Sequence, residues 1–468
     1  MKAVTQHSAV ELLALLRESK ISAQELAEEY IFQIERLNPR INAFADFGAD
    51  RLREQVRAVE KPYSTRGPLF GLPVTVKASI ATAGYRCEIG SLINRGNIPT
   101  EDATVVARLR RAGATILGTT NTPEFLMAYV TENLLHGRTN NPWNLDYTPG
   151  GSSGGESAAI AAGLSAGGLG SDSGGSVRVP AHFTGICSLK PTPGRIPSVG
   201  HLPPCVGPFS ILGTIGPMAR TIADVALFFQ VLSGHDPVDP ASPPVAFCAR
   251  SEEDVKQLPI GYFEDDGLVS VTPETRRAVQ DAAQSLKRQG FNVRPFRPEG
   301  LEQARQLWWK FFVSCGAMFL EPTVLGHEHQ LSPAFQEFLD LSHSGQPFTA
   351  NELLNAWAKC DVVRGKLLVQ MQRFPVLLCP VCSIPAFRHG EREWTVDGQR
   401  VGYWDVMRYT QWFNLLAAPA AVIPVARSPE GLPIGVQIVA RPFEDEVALA
   451  VATAVERDFG YAFPPDLA

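Results

Sequence analysis

Helical and strand periods alternate along the chain when apolar positions are read against polar ones. The opening residues, MKAVTQHSAVELLALLRESK, set apolar side chains at helical spacing, interrupted by Glu11 and Arg17. Ser8 with Glu11, and Ser22 with Glu25, have the spacing of capping boxes, which predicts two opening helices, the second running to about Asn38-Pro39. GLPVTVKASI is a β-branched run that predicts a buried strand with Lys77 near its end. Residues 103–113 (ATVVARLRRAG) return to helical spacing, and ATILGTTN to a strand. An alanine-rich helix begins near Glu156, and Thr221 with Asp224 caps another over VALFFQVLSG. Beyond a proline-rich connection, DPVDPASPPVA, strands are predicted at LPIGYF, FNVRPF, PVLLCPV, AAVIPVA and GVQIVAR, between helices near 273–289, 350–374 and 443–457. The alternation predicts an α/β fold: one large mixed β-sheet covered on both faces by α-helices.

At 468 residues the chain exceeds the size at which a single core stops growing, so one large unit or two halves meeting at the proline-rich stretch is expected. Lys and Arg number 42 against 48 Asp and Glu, and the net charge of −6 disfavours nucleic acid as a partner. No stretch approaches the roughly 18 apolar residues of a membrane span. The N-terminal run is followed by no small-residue cleavage site, so the chain reads as a cytoplasmic protein. Its eight cysteines are too scattered for a disulfide scaffold. Cys379-Pro-Val-Cys382 has the spacing of a redox or metal pair but lacks a second such pair or a nearby histidine pair, and reads as two inert thiols in a buried strand. Neither a metal nor an organic cofactor is expected.

Candidate chemistry concentrates in residues 150–180, GGSSGGESAAIAAGLSAGGLGSDSGGSVRVP. Gly150-Gly-Ser152-Ser-Gly154 satisfies GxSxG, the nucleophile elbow, which requires a downstream acid and a histidine base. Histidines 182, 201, 235, 327, 329, 343 and 389 stand in no recognisable context for that role. Gly170-Ser-Asp-Ser-Gly-Gly-Ser176 offers another solution. Glycines ahead of a serine let the N–H groups of Ser173, Gly174, Gly175 and Ser176 converge on one carbonyl oxygen, forming an oxyanion hole for attack by Ser176. A phosphate-binding loop would need the lysine of GxxxxGK[ST] or the strand context of GxGxxG, which this segment lacks. The attacking hydroxyl needs a base, and a lysine serves only when neutral, a state favoured by burial among residues such as Val74, Val76 and Ile80 around Lys77; taken by itself, Lys77 reads as a strand-end lysine paired with a carboxylate.

These blocks, together with Lys77 in GLPVTVK, resemble the amidase signature family of serine hydrolases. GGSSGGESAA, GSDSGGSVRVPA and GICSLKPTPGR carry the likeness, which extends to NAFADF, TNTPEF, NNPWN, GPMARTIADVA and GLPIGVQIVA. It is least typical between about 240 and 400. The resemblance implies one amidase signature domain over residues 1–468, with an N-terminal helical segment (1–65), a catalytic core (70–235) and a variable region bordering the substrate pocket (240–400). It further implies a Ser-Ser-Lys triad in which Ser176 forms the acyl-enzyme, Ser152 bridges and Lys77 is the base, with a cis peptide bond between Gly151 and Ser152. Family members often carry an acidic residue straight after this lysine, whereas here Ala78 follows. Asp172 and Arg178, flanking Ser176, read as residues that hold the loop.

By the same resemblance Leu126 and Met127, after TNTPEF, line the substrate channel. Residues 306–322 (QLWWKFFVSCGAMFLEP) set Leu307, Trp308, Phe311, Phe312, Cys315, Met318 and Phe319 on one helical stripe. Periodicity alone reads that stripe as core, while the resemblance places it beside the acyl pocket. The loop 198–213 reads as a cover over the site or as a connector. The function expected is an amidase cleaving a small-molecule amide with an apolar or aryl acyl group, with esters and carbamates open to the same chemistry. The alternative is the glutaminase subunit of a tRNA-dependent amidotransferase, working with partner subunits.

Overall fold

The computed structural model describes residues 3–60, 66–343 and 349–465. Eleven strands form one mixed sheet. In chain order they are β1 (Phe44–Phe47), β2 (Pro73–Lys77), β3 (Thr115–Thr120), β4 (Gly167–Asp172), β5 (Cys187–Lys190), β6 (Thr214–Ala219), β7 (Ile260–Tyr262), β8 (Val293–Pro295), β9 (Val376–Pro380), β10 (Ala420–Arg427) and β11 (Pro433–Ala440). Across the sheet they run β1-β3-β2-β4-β6-β5-β10-β11-β9-β7-β8. β2 lies parallel to both β3 and β4, whereas β4, β6, β5, β10, β11 and β9 follow one another antiparallel. Strands from either side of the proline-rich stretch therefore share the one sheet.

Each strand predicted from its apolar run is present, but β1, β4, β5 and β6 were not foreseen. β4 is the sequence GGLGSD, part of the glycine-rich segment itself, which strand propensity disfavours. Packing overrides propensity here. A Cβ at Gly167 would lie 2.5 Å from Phe228 in the helix Ile222–Leu232, and a Cβ at Gly168 would lie 2.2 Å from the Thr75 carbonyl oxygen and from Glu156 in the helix Gly154–Ala161. Successive residues of a strand point to opposite faces, so these two helices cover opposite sides of the sheet. Gly154–Ala161 packs beside Arg178–Thr184, and Ile222–Leu232 packs beside Asp445–Glu456, which in turn meets Pro273–Arg288.

Two expectations are corrected. The second helix spans Ala23–Ile41, past the expected end at Asn38-Pro39, and keeps Pro39 within its last turn. It stops where Asn42 turns left-handed (φ 56°) and donates its N–H to the Asn38 carbonyl, while Asn38 Oδ1 accepts from Ala43 N–H at 2.8 Å. The aromatic stripe is not one helix face. A π-helical turn, Lys310–Ser314, separates Leu301–Trp309 from Cys315–Val324 and rotates the second helix against the first. Trp308 and Phe311 are fully buried, whereas Met318 is 51% exposed. Cys379, on β9, and Cys382 just past it are buried free thiols whose ionisation burial opposes. Among the described residues no helix is long and apolar enough to cross a membrane.

Candidate active site

Lys77 closes β2, with no solvent exposure, and its Nζ donates to Ser152 Oγ at 2.7 Å and to Ser171 Oγ at 3.1 Å. Burial disfavours the charged amine and lowers Lys77 from 10.5 to about 7, against the opposing pull of Asp172 and Glu156. Ser152 follows a cis Gly151–Ser152 peptide bond, and its carbonyl accepts from Thr122 Oγ1 at 2.9 Å. The loop carrying Ser176 is tied to this one by a bond from Ser153 N–H to the Ser176 carbonyl, 3.1 Å. Ser152, Ser171, Ser173 and Ser176 all reach the wall of one cavity.

The loop Ser173–Ser176 is held from outside the cavity. Trp308 Nε1 donates to the Ser173 carbonyl at 2.8 Å, and Tyr129 OH and Thr410 Oγ1 donate to the Gly174 carbonyl at 2.8 and 2.6 Å. In a trans peptide the C=O and the following N–H point in opposite directions. Pinning the Ser173 carbonyl on Trp308 therefore aims the Gly174 N–H the other way. Only glycine allows this approach, since a Cβ at Gly174 would lie 2.6 Å from the Trp308 ring. The Gly175 N–H, expected to face the substrate with its neighbours, is instead donated to Asp172 Oδ1 at 2.8 Å. The N–H groups of Ser173, Gly174 and Ser176 meet no protein acceptor among the described residues.

Asp172 also accepts from Val177 N–H at 3.1 Å, from Arg178 at 2.9 and 3.1 Å and from Asn414 at 2.9 Å. Burial alone would raise its carboxyl; the Arg178 guanidinium outweighs that and holds it well below the usual carboxylate range. Arg178 in turn reaches the Thr410 carbonyl, Asn414 and Gln437. The buried ion pair thus ties the serine loop to the C-terminal third of the chain.

Leu126 and Met127 do line the cavity, together with Phe125. Phe125 (φ 48°) and Leu126 (φ 68°) both take the left-handed conformation that L-residues disfavour, a strain retained only where surrounding contacts enforce it. Of the aromatic stripe, Phe312 and Phe319 face the cavity with Gly316 and Leu320, whereas Trp308 stands behind the Ser173–Ser176 loop. The 198–213 loop supplies Pro203, Pro204, Cys205 and Phe209, the last packed edge-on to Phe312 at 6.2 Å. His201, also on the wall, is not poised as a base. Burial lowers it to about 4, Nδ1 bonds the Pro203 carbonyl at 2.8 Å, and Nε2 faces Ser79. Ser171 had no assigned role from sequence, Phe125 entered only as part of TNTPEF, and Trp308 was read as core or as a border of the acyl pocket. Their contacts in the structure come from partners distant in the chain.

Comparison with known proteins agrees with this architecture. The sequence matches the Amidase family over residues 25–449. It is 34% identical to the indoleacetamide hydrolase of Bradyrhizobium diazoefficiens, over 98% of this chain and 87% of that protein. It is 31% identical to a glutamyl-tRNA(Gln) amidotransferase subunit from Bdellovibrio bacteriovorus, over 97% of each. The crystal structure of a bacterial aryl acylamidase of the amidase signature family superposes with a TM-score of 0.87 at 26% identity, over 97% of this chain and 96% of that one. Sequence match and fold agree across nearly the whole length, and the chain belongs to the amidase signature family as an amidase, a hydrolase of linear amide C–N bonds.

Proposed function

We propose that the protein hydrolyses small-molecule carboxylic amides with an apolar or aryl acyl group, through an acyl-enzyme on Ser176. The observation that carries this reading is the wall of the cavity. Ser152 and Ser176 open onto it, the rest is largely Phe, Leu, Met and Pro, and no carboxylate, ammonium or guanidinium lines it among the described residues. An apolar acyl group gains by leaving water for such a wall, at about 25 cal/mol per Å². Four wall residues, Phe312, Gly316, Phe319 and Leu320, come from the 240–400 region.

The relay runs through three side chains. Ser176 Oγ attacks the amide carbon as its proton passes to Ser152 Oγ, and the proton of Ser152 passes to the neutral Lys77 amine across the 2.7 Å contact. The negative charge on the carbonyl oxygen is received by the N–H groups of Ser173, Gly174 and Ser176, which meet no protein acceptor among the described residues. Collapse of the tetrahedral intermediate breaks the C–N bond. The leaving amine takes its proton from Lys77 through Ser152, leaving an ester on Ser176. Water then attacks that ester, giving up a proton along the same path and releasing the acid. Esters and carbamates fit the same sequence of steps.

The glutaminase alternative finds support in the amidotransferase relatives, but free glutamine would bring an ammonium and a carboxylate to a wall with no ionised partner for either. A panel of aryl amides, aliphatic amides, carbamates and glutamine, with mass spectrometry of a trapped intermediate, tests the reading. Aryl amide turnover with an acyl adduct on Ser176, both lost in Ser176→Ala, is expected. Turnover of glutamine alone, or an adduct on another residue, would overturn it.

A further inference from the structure

Behind the Lys77 amine lies a carboxyl group that the relay does not use. Glu156 stands in the first turn of Gly154–Ala161 and is completely buried. Thr75 precedes Lys77 by two residues on β2 and shares its face, and Thr120 is the residue of β3 in register with Lys77. Both hydroxyls meet the Glu156 carboxyl, Thr75 Oγ1 at Oε1 and Thr120 Oγ1 at Oε2, the latter at 2.8 Å. Glycine at 168 makes the room, since a Cβ there would stand 2.2 Å from Oε1.

Hydrogen counting decides the charge of this group. Three oxygen pairs run in a chain: Glu156 Oε1 with Thr75 Oγ1, Thr75 Oγ1 with Ser165 Oγ at 2.9 Å, and Ser165 Oγ with the Gly167 carbonyl at 2.9 Å. A hydroxyl carries one hydrogen, so Thr75 and Ser165 supply two hydrogens for three pairs. If Glu156 is ionised, one buried oxygen pair faces lone pair to lone pair. If Glu156 is protonated, the chain fills in one direction: Glu156 donates to Thr75, Thr75 to Ser165, and Ser165 to Gly167. Thr120 then donates to the remaining Glu156 oxygen.

We infer that Glu156 remains a neutral carboxylic acid while Lys77 serves as base, donating its O–H to Thr75 Oγ1, and that this positioning residue thereby denies the amine a counter-charge. The inference rests on the reading of Lys77 as base. An ionised carboxylate at this place would favour the ammonium form and block the relay. The electrostatics have the right sign. Burial outweighs the hydrogen bonds of Thr75 and Thr120 and the Lys77 charge and raises Glu156 to about 7; a neutral Lys77 removes the last of the opposing pulls. Other ionisable groups packed around the pair are engaged elsewhere. Asp172 on β4 pairs with Arg178, Asp46 on β1 pairs with Arg51, and His182 spans Gly435 N–H and the Ile384 carbonyl. Arg220 donates to the carbonyls of Ile160 and Ser165, and on the cavity side of Lys77 burial raises Cys205 and keeps His201 neutral.

The test is an infrared difference spectrum of the full-length protein, wild type minus Glu156→Gln, at the pH where turnover reaches its plateau. The expected result is the carbonyl-stretch band of a protonated carboxylic acid, and carboxylate bands in its place would overturn the inference. Thr75→Val, which removes the acceptor of the proton, is expected to shift that band, and it keeps the test open should Glu156→Gln fail to fold; an unmoved band would overturn the assignment to this chain of bonds. In kinetics, Glu156→Gln is expected to leave the acid-limb midpoint of kcat/KM in place, whereas loss of an ionised neighbour would lower it by about one to three units. The spectrum needs no turnover, so a failure of Lys77 as base, read as activity retained in Lys77→Ala, stays distinct from a failure of this inference.

Discussion

Acidification is the perturbation that reads Lys77 most directly. The relay needs the amine uncharged, and the structure gives Lys77 no exposed surface and a value lowered from 10.5 to about 7 by burial. An unshifted lysine would be neutral in only about one molecule in three thousand at pH 7, whereas at a value near 7 about half are neutral. From pH 8 to pH 5.5 the neutral fraction falls from about nine-tenths to about three-hundredths, so kcat/KM should drop roughly thirtyfold along a single proton step. The assay is the initial rate of aryl amide hydrolysis at low substrate across pH 5 to 9.5, with the substrate chosen to have no ionising group. A rate that is flat from pH 5.5 to 8, or one still climbing steeply above pH 9, would refute the claim that burial has made this lysine a base.

The same burial predicts a stability effect. Because the folded value is depressed, the unfolded chain holds the Lys77 proton between about pH 7 and 10.5 where the folded chain does not, so stability rises with pH through that window and the full cost of burying the charge falls below it. Lys77→Met should therefore melt higher than wild type at pH 6.5, by a few kcal/mol less the lost bonds to Ser152 and Ser171, with the gap closing toward pH 10. A lower melting temperature at pH 6.5 would contradict it. Trp308→Phe removes the donor that orients the Ser173 carbonyl, and kcat should fall about ten- to hundredfold, at about 1–3 kcal/mol, with KM little changed. An unaltered kcat would show that the loop holds its shape without that bond. Gly316→Val places a Cβ 3.0 Å from the Phe209 ring at the cavity wall, so kcat/KM for aryl amides should drop about tenfold or more. Acetamide should be spared, and an equal loss for both would remove Gly316 from the acyl pocket.

Much of the fold was legible in sequence because its signals are local. The Ser8–Glu11 and Ser22–Glu25 boxes cap the helices they were expected to cap, and the β-branched runs became β2, β3 and the strands of the second half. Where local preference and packing disagreed, packing prevailed. β4 is a glycine-rich strand because Phe228 on one face and Glu156 on the other leave no room for side chains. Site residues divide in the same way. Leu126 and Met127 were expected at the cavity and lie there, while Ser171 and Phe125, although inside quoted motifs, owe their places to partners distant in the chain.

By itself the sequence determined the α/β class, the strands with apolar runs and the capped helices, the family, and which lysine and serines are brought forward as candidates, since those follow from periodicity and from motifs a few residues long. Only the tertiary structure decided that Trp308 braces the Ser173–Ser176 loop while Phe312 faces the cavity, and that Gly175 spends its N–H on Asp172. It alone also brought the Glu156 carboxyl up against Thr75 and Thr120. These depend on atoms from distant stretches of chain meeting within hydrogen-bonding distance, and on one π-helical turn that shifts every following side chain around its helix, neither of which leaves a periodic trace in the residues themselves.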